Sequence, residues 1–284
     1  MSDRETIRQT LASAFSPCRL CPRACGAARN AAQGYCQQSS SVVYQHFIHC
    51  GEELIISPSF IINMMGCNLD CPACSERARW GMARHIWSGK GCVYGDKVAS
   101  YLSGQSHVAA IEWIGGEPGI HLPFVLEASW AIRDRLNPAL PVYLNTNGYY
   151  DASLLPFIIS GLDGFVFDLK ACHHCAPTLT GAADYWPVVT QNIVQGTEAL
   201  ADRAPQIVRH LIMPGHVECC TEPILRWLRA HVPEAWINLM TTFQNFNRCE
   251  GYPETLPRTE ADCAIALARS LMFPRLMIDG VPEG

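Results

Sequence analysis

Cys67, Cys71 and Cys74 lie in "NMMGCNLDCPACSE" with the spacing C-x3-C-x2-C. Gaps this short let the thiolates converge on one metal or cluster without long-range folding, as iron-sulfur and zinc knuckles require. A structural zinc takes four protein ligands, whereas three cysteines suit a [4Fe-4S] cluster with one iron left open to bind a substrate or cofactor directly. Two other readings stand beside it: a half zinc site completed by Cys50 or Cys92, and buried cysteines acting as small apolar residues.

A second set, Cys18, Cys21, Cys25 and Cys36 in "PCRLCPRACGAARNAAQGYC", has the spacing C-x2-C-x3-C-x10-C. Four thiolates on a short segment can close a tetrahedral zinc site or ligate an auxiliary iron-sulfur cluster, and either would staple a stretch with little apolar sequence of its own. A third set is split between "KACHHCAP", with Cys172, His173, His174 and Cys175, and "HVECC", with His216, Cys219 and Cys220. Both follow expected strands and could share a metal if the loops meet. No continuous spacing joins them, so the reading taken is loop cysteines without a ligand role. Cys50, Cys92, Cys249 and Cys263 are isolated and receive no role.

These residues need a frame to position them. Short apolar, β-rich runs recur at 54–65, 108–114, 141–145, 163–168, 206–212 and 235–240, separated by stretches of helical composition. "LPFVLEASWAIRDRL" and "TEPILRWLRAHV" read as outer helices, the second opened by a Thr221 cap. Such βα alternation predicts parallel strands closing into a full or partial barrel, with the motif residues at the C-terminal strand ends. Residues 1–50 are expected to form a cysteine-rich metal-binding segment and residues 51–284 the barrel.

Composition narrows the function classes. The chain has 284 residues, 49% of them apolar, enough for one sizeable core. A net charge of -5 with no lysine or arginine block gives no electrostatic reason to expect nucleic acid or an anionic membrane surface. No apolar leader or membrane-length apolar run is found, so a cytoplasmic protein is expected. Thiols stay reduced there, and fifteen cysteines in local clusters then point to metal rather than disulfides.

In order, "FIINMMGCNLDCPAC", "AAIEWIGGEPGIHLPF", "PVYLNTNGYYD", "GFVFDLK", "IVRHLIMPGH" and "WINLMTTFQNF" resemble the radical S-adenosylmethionine (SAM) superfamily, and within it the pyruvate formate-lyase activating enzyme-like group, over residues 18–280. The resemblance implies an α/β fold, a partial (βα)6 TIM-type barrel, and a [4Fe-4S] cluster on Cys67, Cys71 and Cys74. It also implies reductive cleavage of SAM to a 5'-deoxyadenosyl radical for hydrogen abstraction. A reducing electron donor and a protein or small-molecule substrate are the implied partners. Gly115 and Gly116 would let backbone approach the SAM amine and Glu117 would accept from it. Asn145, Thr146 and Asn147 would offer polar groups to ribose or carboxylate. Asp168 and Lys170 would flank a cation site, and Arg209 would pair with the carboxylate.

Two departures stand out. Asn145 replaces the family's Asp, which weakens the cation site. Ala73 replaces the aromatic residue before the third cysteine, a loss that Trp80 could offset. Activation of a glycyl-radical enzyme is the named activity within this reading. The alternatives are a non-catalytic iron-sulfur electron carrier or zinc-stabilised binding module, and a peptide-modifying radical SAM enzyme with auxiliary clusters.

Overall fold

The computed structural model describes residues 3–29, 34–51, 53–80, 86–136 and 140–284; the side chain of Trp80, and with it the compensation expected of that residue, lies outside the described set. The strands are β1 (Val43–His49), β2 (Ser59–Met64), β3 (Ala110–Gly115), β4 (Val142–Thr146), β5 (Gly164–Asp168), β6 (Ile207–Leu211), β7 (Trp236–Met240), β8 (Leu276–Ile278) and β9 (Val281–Pro282). The helices are α1 (Asp3–Phe15), α2 (Ser75–Trp80), α3 (Gly91–Leu102), α4 (Leu122–Arg135), α5 (Leu155–Gly161), α6 (Ala176–Thr180), α7 (Tyr185–Ala199), α8 (Glu222–His231) and α9 (Arg258–Ser270).

The nine strands among the described residues form one sheet whose order follows the chain from β1 to β9. Pairings from β2 through β8 are parallel, and β1 and β9 run antiparallel at the two edges. Every residue of β2 and β4 is buried, as expected of parallel strands covered on both faces. The six runs read from the sequence are β2 to β7. Residues 54–56 are a 3-10 turn rather than strand. That turn sits between the sheet edges, where Leu54 N–H donates to the Gly280 carbonyl at 3.0 Å.

Helix α4 packs on α3 so closely that a Cβ on Gly91 would meet the Phe124 carbonyl oxygen at 2.5 Å. From β3, the buried Trp113 indole donates to Ser129 of α4 at 2.9 Å. Helix α8 departs from expectation at its start. Residues Val217–Thr221 form a π-helical turn leading into it, and Thr221 is itself helical and makes no side-chain cap bond. Its hydroxyl instead meets His210 Nε2 at 3.0 Å.

The boundary drawn at residue 50 falls just after β1, whose pairing with β2 carries the sheet into the N-terminal segment. Ahead of β1, α1 lays Ile7 and Leu11 against the core, with Arg4 paired to Asp134 of α4. Arg23 then donates to the carbonyls of Asn68 at 3.1 Å and Gly181 at 2.7 Å, and buried Arg29 donates to that of Ile120 at 2.9 Å. The cysteine-rich stretch is thereby tied to the loop holding Cys67 and Cys71. Among the described residues, no helix is long and apolar enough to cross a membrane.

Candidate functional site

The C-terminal ends of the parallel strands open into a cavity of about 560 Å³. Cys67, Cys71, Ala73 and Cys74 form one wall, Gly115 and Gly116 follow β3, and Asn145, Thr146 and Asn147 end β4. Asp168 and Lys170 come from the end of β5, and Arg209 from β6. Residues spread from position 67 to position 209 therefore meet because each lies in or just beyond the C-terminal half of a neighbouring strand. Gly115 has φ +114°, and a Cβ there would stand 2.5 Å from Met64 N. Only glycine permits that turn beside β2.

Three polar groups hold the cysteine loop. Asn147 Nδ2 donates to Asn68 Oδ1 at 2.9 Å and lies 3.6 Å from Cys67 Sγ, while Leu69 N–H approaches the same sulfur at 3.4 Å. Asn247 donates to the Cys74 carbonyl at 2.6 Å, and the Cys249 thiol donates to that of Pro72 at 2.7 Å. Asn247 and Cys249 had no legible role in the sequence, because nothing local links them to a loop about 175 residues earlier.

The electrostatics fit a cationic guest. Burial pushes the Cys67 thiol up and the Cys71 thiol up to about 11, although Lys170 draws the latter down. Burial works against the Lys170 charge, but Asp168, 3.1 Å away, and Cys71 hold its pKa above the ordinary value. A metal supplies the missing positive charge and deprotonates such thiols outright. Among the described residues, three or more ligand atoms come within 4.8 Å of one another at Cys172/Cys175/Cys220 and at Cys175/His216/Cys219. The sulfurs of Cys67, Cys71 and Cys74 do not all approach that closely, which suits irons at separate corners of a cluster better than one shared ion. The donor set fits the [4Fe-4S] group.

Other expected residues stand differently. Glu117 is 1% exposed and sits behind the cavity wall. Its Oε1 accepts from Gly119 N–H and the Thr146 hydroxyl, both at 2.7 Å, and its Oε2 from Asn147 N–H at 2.8 Å. Burial raises its pKa to about 7 against those hydrogen bonds. The carboxylate thus positions the β4 end instead of facing the cavity. Glu117→Gln would turn an NH2 toward Asn147 N–H, and the stranded donor should cost about 1–3 kcal/mol. A denaturant titration at constant slope will show this as a lowered midpoint; an unchanged midpoint would contradict it.

Arg209 forms a buried pair with Glu53 through Nε and Nη2. Asn238 also donates to Glu53 Oε1, at 2.8 Å. Asn145 Nδ2 donates to the buried Glu112 at 3.2 Å, and Ser59 donates to the other oxygen of that carboxylate. An Asp at position 145 would set two buried carboxylates face to face, which gives a physical reason for the Asn found there.

At the N-terminal set, Cys18 and Cys21 are buried, Cys25 is exposed, and Cys36 is half-buried with its sulfur 2.7 Å from Arg29 Nη1. Burial raises the Cys18 pKa and lifts Cys21 to about 11, opposed by hydrogen bonds from the backbone at Leu20 and Arg23. At Cys25 burial is outweighed by the backbone at Ala27 and Tyr35, and the pKa falls. The Cys172–Cys175 and His216–Cys220 loops, read from the sequence as lacking a ligand role, are brought together.

No protein-family model matches the chain. It is similar to an uncharacterized protein of Methanocaldococcus jannaschii, 25% identical over 264 residues, covering 89% of this chain and 75% of that one. Among solved structures, Streptococcus suis SuiB bound to precursor peptide SuiA matches with a TM-score of 0.55 at 10% identity, over 77% of this chain and 46% of that one. A radical SAM methyltransferase from Sphaerobacter thermophilus matches with a TM-score of 0.52 at 13% identity, over 76% of this chain and 66% of that one. The chain spans about half the length of SuiB. The fold is the partial barrel of the radical SAM enzymes.

Proposed function

We propose that the protein is a radical SAM enzyme that abstracts hydrogen from a protein, peptide or small-molecule substrate. The observation that carries this reading is the opening of the C-x3-C-x2-C loop into one cavity with the polar ends of β3, β4, β5 and β6. Cys67, Cys71 and Cys74 would hold a [4Fe-4S] cluster, which, once reduced by an external donor, would supply the electron for reductive cleavage of SAM. The chain's own part is to hold SAM and exclude water. Gly115 and Gly116 offer backbone to the methionine end, and Asn145, Thr146 and Asn147 offer amide and hydroxyl groups to the ribose or carboxylate. Glu117 acts through Thr146 and Asn147, and the Lys170 ammonium balances thiolate charge beside Cys71.

Activation of a glycyl-radical enzyme is the finer proposal, resting on the ordered motifs. A low-potential electron donor and a cytoplasmic setting go with it. Anaerobic reconstitution followed by dithionite reduction should yield 5'-deoxyadenosine and methionine. A cluster spectrum indifferent to SAM, with no such product, would favour the electron-carrier reading.

The cysteines at 18, 21, 25 and 36 are proposed to hold a second metal, zinc or an auxiliary iron-sulfur cluster, that supports the N-terminal segment. Replacing Cys21 and Cys25 should lower metal content and leave the catalytic cluster's spectrum in place. For an auxiliary [4Fe-4S] cluster the loss is from about eight irons to about four. Unchanged stoichiometry in that variant removes this second site.

A further inference from the structure

The loop after β5 and the turn after β6 meet beside the cavity and gather Cys172, Cys175, His216, Cys219 and Cys220. We propose that Cys175, His216 and Cys219 bind a zinc-class divalent ion, with Cys172 as the fourth ligand. This site is separate from both the cysteine triplet and the N-terminal set, and it stands whether or not the protein cleaves SAM.

Distances carry the inference. Cys175 Sγ lies 3.9 Å from Cys219 Sγ, and His216 Nδ1 lies 3.3 Å from Cys219 Sγ and 3.8 Å from Cys175 Sγ. On a tetrahedral zinc, with Zn–S near 2.3 Å and Zn–N near 2.0 Å, two sulfurs stand about 3.8 Å apart and a sulfur and nitrogen about 3.5 Å apart. The three side chains already hold nearly those spacings. Thiolates with an imidazole form the soft and borderline donor set that zinc selects over magnesium or calcium.

The fourth position has a donor at hand. Cys172 Sγ is within 4.8 Å of Cys175 Sγ but farther than that from His216 Nδ1 and Cys219 Sγ, so it reaches the ion by a side-chain rotation away from the Cys219 carbonyl oxygen, which it now approaches at 3.1 Å. Behind it, Cys220 Sγ accepts from Cys172 N–H at 3.1 Å, which orients the Cys172 loop. Cys172, Cys175 and Cys220 are buried, whereas Cys219 is exposed and His216 half-buried, so an ion can enter from solvent. The sequence reading raised a shared metal here and set it aside, because the two halves lie 41 to 47 residues apart.

The ion would clamp the β5 loop to the β6 turn. Helix α6, which follows Cys175, places Leu179 in the cavity wall, and the Thr180 carbonyl accepts from Asp70 N–H at 2.9 Å. The clamp is therefore one hydrogen bond from the loop carrying Cys67 and Cys71.

Cobalt(II) is the probe, added anaerobically to full-length protein bearing its reconstituted iron. One equivalent should develop the intense visible bands of tetrahedral thiolate-bound cobalt, and zinc should displace it. Cys219→Ser and His216→Ala, both at solvent-reached positions, should each weaken cobalt binding by more than about a hundredfold, the upper end of what losing a mere outer-shell partner costs. The Cys21/Cys25 and the Cys67/Cys71/Cys74 variants should keep the bands. Because the readout is cobalt absorption, absent SAM cleavage leaves the test intact. Bands that survive in both Cys219→Ser and His216→Ala, or that vanish in the Cys21/Cys25 variant, overturn the site. A Cys175–Cys219 disulfide found by mass in anaerobically isolated, metal-free protein overturns it as well.

Discussion

Replacing Cys67, Cys71 and Cys74 together by alanine should reduce the 5'-deoxyadenosine formation proposed for this protein, under dithionite, to the level of the protein-free blank. Three thiolates are the whole protein ligand set proposed for the cluster, so no fallback ligation remains. All three side chains are partly exposed at the cavity, and their loss opens no large hole in the core. The metal-free variant should accordingly melt near the metal-free wild type, which separates lost chemistry from lost fold. Production of 5'-deoxyadenosine at the wild-type rate by the triple variant would end the assignment of these residues.

The largest effect on stability is expected at Glu53. Its side chain is 0% exposed and that of Arg209 only 5%. Glu53→Gln removes the carboxylate that both Arg209 Nε and Nη2 meet in the buried pair, and breaking such a pair from one side costs about 3–5 kcal/mol. For a chain of this size that corresponds to a melting point lower by roughly 10 °C, at about 2–4 °C per kcal/mol. Replacing both partners with apolar residues, Glu53→Leu with Arg209→Met, should recover much of the loss, since well-packed apolar substitutes are often neutral. The pair also separates two roles of Arg209. If SAM binding in the recovered double variant matches wild type, Arg209 serves the fold alone; if it is weakened at restored stability, the guanidinium serves the cavity too. A melting point for Glu53→Gln within about 2 °C of wild type would refute the stability claim.

The sequence was informative where chemistry is local. The cysteine triplet declares itself through spacing, and strands β2 to β7 through runs of apolar residues that need no partner to be recognised. Edge strand β1 breaks its apolar residues into pairs around Gln45 and His46 in "VYQHFIH" and lacks that continuous signal, while β8 has three residues, too short for any period. The site's supports are non-local. Glu53 reads as an ordinary charge in "GEELII", because Arg209 lies 156 residues and Asn238 185 residues away. Glu117 was found by its motif, but the motif could not tell a carboxylate facing a ligand from one turned back onto Thr146 and Asn147. Thr221 had the right residue type for a helix cap. His210 claimed its hydroxyl, and the π-helical turn removed the geometry a cap needs.

A sheet whose spatial order repeats its chain order has a direction of assembly. Each parallel strand needs only the strand made just before it, so pairing can advance during synthesis, with every step closing one short crossover loop. The Glu53 contacts break that pattern. Arg209 and Asn238 emerge long after the carboxylate they must meet, so these loops of 156 and 185 residues close only when β6 and β7 are in place. Until then Glu53 remains a solvated charge at a sheet edge, a feature that discourages another chain from pairing there. Its burial marks the moment when the nascent edge ceases to be open.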